Sequence, residues 1–79
     1  MRVLLSIEGQ EDFEALPVTV QQRVLEVLRR LQSWPEVSGV KPLRGEWSGH
    51  SRIRTGDWRV IFRVVRPDLL VVRIRHRKD

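Results

Sequence analysis

The sequence contains no cysteine and no tyrosine, only two histidines, and no long apolar run. Without cysteine, no disulfide can staple the fold, and no thiolate can hold a metal or attack a substrate. The two histidines, His50 and His76, stand at no spacing that resembles a metal site. The apolar opening "VLL" is too short for a signal peptide and is followed by acidic residues. No segment approaches the roughly 20 apolar residues that cross a bilayer as a helix. These absences argue against a disulfide scaffold, a thiol enzyme and a helical membrane protein, and they suggest no metal or other cofactor. The missing cysteine and export signal lead us to expect a cytoplasmic protein.

What is present fits one small domain spanning residues 1–79. A chain near this size buries only about 60% of its unfolded surface, enough for one thin core. A hydrophobic content of 41% argues for a folded chain. Charge is divided unevenly. Residues 1–38 carry four basic side chains against six acidic ones, a net of −2; residues 39–79 carry eleven against four, a net of +7. That asymmetry points to a nucleic acid or another acidic partner on a surface built by the second half, the alternative being arginines that are merely solvated.

"RVLLSI" is short and apolar and reads as a buried first strand. "GQEDFEAL" spaces Phe13 and Leu16 three apart among acids, which predicts a short amphipathic helix ending near Pro17. A longer helix follows, with Val20, Val24, Val27, Leu28 and Leu31 in one stripe. Thr19 and Gln22 fit a capping box at its start. Glu26 and Arg30 fit an ion pair four residues apart, and Pro35 should stop the helix around Ser33–Trp34. "PEVSGVKPLRGEWSG" reads as a loop. "HSRIRT", "DWRVIFRVV" and "LLVVRIR" read as three strands joined by turns at "TGD" and "RPD". The expected fold is α+β in the order β-α-α-β-β-β, a small, mainly antiparallel sheet with both helices on one face.

Period-two alternation then sorts the charges. His50, Arg52 and Arg54 share one side of their strand. Trp58, Val60, Phe62 and Val64 should face the helices, leaving Arg59 and Arg63 outward with Ile61 between them. On the last strand Leu70, Val72 and Ile74 are expected inward, and Arg73 and Arg75 outward. One sheet face would thus be lined with guanidinium groups. Like charges at neighbouring strand positions repel, so such a face is costly unless an anion occupies it.

The segment "KPLRGEWSGHSRIRTGDWRVIFRV", followed by a third strand and "HRKD", resembles the RelE branch of the RelE/ParE toxin superfamily. Its members share a K-x-L-x-G loop and a hairpin of the form Y-R-[IL]-R-x-G-[DN]-[YW]-R-[VI]-[IV]-[YF]. The resemblance covers nearly the whole chain. It implies a toxin of a type II toxin–antitoxin system: an endoribonuclease that cuts messenger RNA at the ribosome and is neutralised by a small, acidic, RelB-like antitoxin. By position, Arg44 matches a basic loop residue near the RNA, and Arg52 and Arg54 match two basic residues of the first hairpin strand. Arg59 matches the residue that stabilises the scissile phosphate, and Arg77 a basic residue that serves the leaving group. Lys41, Trp47, Arg63, Arg73, Arg75 and Lys78 complete the expected RNA-binding surface.

Metal-free RNA cleavage uses the ribose 2′-hydroxyl as nucleophile, so the protein must orient the attack, take one proton, neutralise the phosphorane and protonate the leaving oxygen. Guanidinium forks suit the third task. His76 is the candidate for proton transfer, the alternative being a strand-end contact with backbone. His50 is expected to pack or to stack on a base, and Glu46 to be solvated. Trp58 is expected in the core, Trp34 at the end of the long helix, and Trp47 against RNA. Relatives often carry an aromatic residue past the last basic position. Here His76 fills that role, or the nuclease is weak or inactive, or the chain continues past Asp79. Two other functions remain open: a ParE-like inhibitor of DNA gyrase, and a nucleic-acid-binding module without catalysis.

Overall fold

The computed structural model describes every residue from Met1 to Asp79. The chain runs β1 (Arg2–Leu5), α1 (Ile7–Glu14), α2 (Val18–Leu31), β2 (Val40–Pro42), a 3-10 turn (Gly45–Trp47), β3 (Ser51–Thr55), β4 (Trp58–Val65) and β5 (Asp68–His76). The strands form one sheet in the order β1-β5-β4-β3-β2, with β1 parallel to β5 and all other neighbours antiparallel. The α+β order and the mainly antiparallel sheet agree with expectation. Strand β2, hidden in a segment that reads as loop, does not. Pro42 has no amide to give, but β2 lies at the sheet edge, where no outer neighbour requires one. No helix is long and apolar enough to cross a membrane.

The helix ends differ from expectation in instructive ways. Ser6 caps α1: its Oγ accepts the Gly9 N–H at 3.0 Å and donates to the Val72 carbonyl at 3.0 Å. The Thr19–Gln22 capping box does not form, because α2 already begins at Val18, after Pro17, with no side-chain cap. Glu26 pairs with Arg29 one turn on, while Arg30 donates to the Ser38 carbonyl at 2.9 Å. Helix α2 ends at Leu31, and the Ser33 and Trp34 amides close tighter turns onto Arg30 and Leu31.

Val24, Val27 and Leu31 of α2, with Leu16, pack on Ile53, Val60, Phe62, Leu69, Val71 and Ile74. Trp34 meets Phe62 edge-on at 5.5 Å and closes the end of the long helix as expected; Trp58 and Val64 pack at the core margin. One expectation fails within β5. Phe62 pairs with Val71 but Ile61 pairs with Arg73, so Val72 is an extra residue, a bulge. Alternation slips there by one position. Leu69 and Val71 are therefore buried in place of Leu70 and Val72, while Ile74 remains inward. Beyond the end of β1 the margin of β5 is covered by α1. Ser6 takes the Val71 and Val72 carbonyls, and the Asp12 carboxylate accepts the Ile74 N–H at 2.9 Å.

Candidate functional site

The face of the sheet away from the helices carries the second half's charge. The strand register sets out two rows across it: Lys41, Arg52, Ile61 and Arg73 form one, and Arg54, Arg59 and Arg75 the other. Directly opposed side chains stand about 5 Å apart at Cβ, so in the second row Arg59 has a cationic neighbour on each side. Ile61 is only 5% exposed although it lies outside the main core, a site suited to the aliphatic stems of long cationic side chains. The predicted guanidinium face therefore exists on β3, β4 and β5.

The molecule's four ion pairs join Arg2 to Asp68, Arg29 to Glu26, Arg73 to Asp12 and Arg77 to Asp57. Lys41, Arg52, Arg54, Arg59 and Arg75 have no carboxylate partner. Burial, together with the charges of Arg54 and Arg59, pushes the Arg52 guanidinium below its ordinary pKa. Arg59 donates from Nη2 to the Arg77 carbonyl at 3.1 Å, while its Nε is buried without a partner. An incoming phosphate oxygen would relieve the mutual repulsion.

Several expected members stand elsewhere. Arg73 rises from the same side as Arg75, but Asp12 holds it through Nε at 2.7 Å and Nη2 at 3.3 Å, so it is not free for RNA. Burial alone would raise the Asp12 pKa. Hydrogen bonds from Arg73 and the Ile74 N–H, with the charges of Arg73 and Arg75, outweigh it and hold the carboxyl below the usual range. Arg77 lies just past β5, near Arg59, with its guanidinium 3.5 Å from Asp57 in the β3–β4 turn. Arg63 shares the cationic face, but it sits beyond Ile61 and opposite Leu70. Lys78 lies in the closing turn and is exposed, as is Arg44 in the loop before the 3-10 turn.

His76 is the main correction. It pairs across the strands with Trp58, and their rings meet edge-on at 5.0 Å on the helix side of the sheet. Arg59 and Arg75 pair one residue earlier along β5, so they project the other way. The His76 ring accepts the Lys78 N–H, which is the strand-end contact with backbone that sequence alone offered as the alternative. His50, by contrast, packs edge-on against Trp47 at 5.3 Å in the loop that enters β3. Packing is one of the two roles expected of His50, and its partner is Trp47, the ring expected against RNA.

Two helices over a five-stranded sheet of this kind are the architecture of known toxins. The chain superposes on the toxin–antitoxin complex RelBE2 of Mycobacterium tuberculosis with a TM-score of 0.80, at 25% identity over 95% of both chains. For the archaeal RelE–RelB complex of Pyrococcus horikoshii the TM-score is 0.76, at 27% identity over 96% of this chain and 93% of that one. The YoeB/ParE toxin of Agrobacterium tumefaciens shares the fold, with a TM-score of 0.79 at 21% identity over 96% and 98%. Residues 3–79 match the family model described as the ParE toxin of type II toxin–antitoxin systems, parDE. The chain belongs to this family, within the RelE/ParE superfamily of type II toxins. No curated protein matches the sequence.

Proposed function

We propose that the chain is a RelE-type endoribonuclease that cleaves messenger RNA at the ribosome, without a metal, through attack of a ribose 2′-hydroxyl on the adjacent phosphate. It acts in the cytoplasm and is held in check by a small acidic antitoxin whose charge complements the face. The observation that carries this reading is the row Arg54–Arg59–Arg75 beside Arg52, neighbouring cations across three strands that no ion pair joins to a carboxylate. Paired guanidiniums grip the non-bridging oxygens of a phosphate and gain strength as charge accumulates in the phosphorane. Arg59 is central in its row, with Arg54 on one side and Arg75 on the other.

The test is to express the protein, map message 5′ ends inside and outside translated regions, and examine chromosomal DNA from the same cells. Cuts confined to translated messages, lost in Arg59→Ala with an unchanged melting curve, are expected. A second reading, the ParE-like inhibitor of DNA gyrase, is favoured by one observation: His76, the expected proton carrier, faces away from the arginines. Gyrase-linked DNA breaks with intact messages would establish that reading and overturn the first. Salt-sensitive nucleic-acid binding with neither lesion would leave only a binding module.

A further inference from the structure

Arginine neutralises charge, but its guanidinium is already protonated near neutrality and does not take up another proton. Attack by a 2′-hydroxyl releases one, so the arginine face needs a titratable neighbour. The two imidazoles lie on opposite sides of the sheet. The Nδ1 of His76 accepts the Lys78 N–H at 3.2 Å, which leaves the proton of a neutral ring on Nε2. That ring is on the wrong face, and its solvent-side nitrogen is in the wrong state to accept.

His50 differs in both respects. Its neighbour Ser51 pairs with core residue Phe62. The Leu43 N–H donates to the His50 carbonyl at 2.9 Å, which prolongs the β2–β3 ladder one residue past the Pro42–Ser51 pair. Extended backbone then turns the imidazole onto the cationic face, two residues or about 7 Å along the strand from Arg52. Continuing the β3–β4 register brings it next to Arg63. The His50 Nδ1 lies 3.4 Å from the Ser48 carbonyl oxygen, an atom that can only accept. The ring therefore donates from Nδ1 and keeps its lone pair on Nε2.

The geometry points to His50 as the general base of the RNA cleavage proposed above, an assignment that rests on that reading. Nε2 takes the 2′-hydroxyl proton as the O2′–P bond forms. The P–O5′ bond breaks with Arg52 holding the non-bridging oxygens. The departing 5′-oxygen takes a proton from water, and the imidazolium returns its own to the resulting hydroxide. The products are a 2′,3′-cyclic phosphate and a 5′-hydroxyl, with no net change in protons.

The experiment is single-turnover cleavage of translated messenger RNA by the full chain and its variants, with and without free imidazole. His50→Ala should slow cleavage by about 100-fold. Binding of the message and the melting temperature should change little, and free imidazole should restore part of the lost rate. Imidazole should not rescue Arg59→Ala, and His76→Ala should cut at close to the wild-type rate. His50→Gln, which keeps the ring's approximate size, replaces the alanine variant if that one melts early, and is then judged by its cleavage rate without imidazole. An undiminished rate in the His50 variant overturns the assignment, as does a diminished rate that imidazole leaves unrestored. If wild type cuts no message, the ribonuclease reading itself has failed; if wild type cuts and the His50 variant cuts equally, only the base has been misassigned.

Discussion

Arg73 and Arg75 leave the same side of one strand, yet only Arg75 is available to an anion. The difference is Asp12, whose carboxylate accepts two bonds from the Arg73 guanidinium and one from the Ile74 amide. Beyond the end of β1 that amide has no strand to pair with, so Asp12 serves as its ladder partner and as the counter-ion of Arg73. The Arg73 side chain is 35% exposed, so solvent screens the pair, and much of the carboxylate's value lies in its bond to the backbone. Asp12→Asn should lower stability by about 1–2 kcal/mol at neutral pH, the loss expected for one charge-assisted hydrogen bond. The Asp12 pKa is depressed in the fold, so its contribution is complete above the unfolded carboxyl's pKa and fades as pH falls through the folded one. Denaturation midpoints measured against pH should show wild type and variant converging in acid; a gap that persists there would show that ionisation is not the source. Nothing in the sequence separated Asp12 from Glu11 and Glu14 around it. Its role depends on where β1 ends against β5, which only the assembled sheet reveals.

Among the elements, α1 and β5 are locked together at one small residue. Gly9 sits inside α1, where alanine would ordinarily gain about 1 kcal/mol of helix propensity. A Cβ there would meet the Val71 carbonyl oxygen at 2.7 Å, and that oxygen is already fixed by the Ser6 N–H at 2.9 Å. Backbone stands on both sides of the clash, so overpacking outweighs propensity. Gly9→Ala should destabilise by about 1–2 kcal/mol in a urea titration; a stabilised variant would show that α1 can lift from β5 freely. The features legible in sequence were those written as local periods. The α2 stripe and the β3–β4 hairpin came through with their faces correct, including the outward arginines and the inward Trp58. The β5 bulge did not, because one extra residue at Val72 reverses alternation without leaving a mark in composition. Nor did β2, since Pro42 reads as a loop residue until its edge position is known. His76 was misread for a related reason. The family pattern singled out the segment, while the pleat that turns the ring away belongs to the three-dimensional strand.

At the scale of the whole molecule, the proposed function allows RNA to be held either by net charge or by its arrangement. The chain carries +5 overall, enough to attract RNA without any particular site. The arrangement makes a sharper demand, because Lys41, Arg52, Arg54, Arg59, Arg63 and Arg75 share one face unpaired, whereas Arg66 stands exposed between β4 and β5 and is equally unpaired. Each phosphate neutralised on a single strand contributes about −0.7 to the slope of log K against log salt, so full engagement of the face's six cations predicts a slope of roughly −4.2. Arg54→Gln and Arg75→Gln should each make that slope shallower by about 0.7, while Arg66→Gln, with the same loss of net charge, should leave it unchanged. Binding of a short single-stranded RNA measured between low and moderate salt separates the two cases. If all three variants shift the slope equally, the protein attracts RNA by total charge alone, and the alternating strands that gather these cations would not define an RNA site.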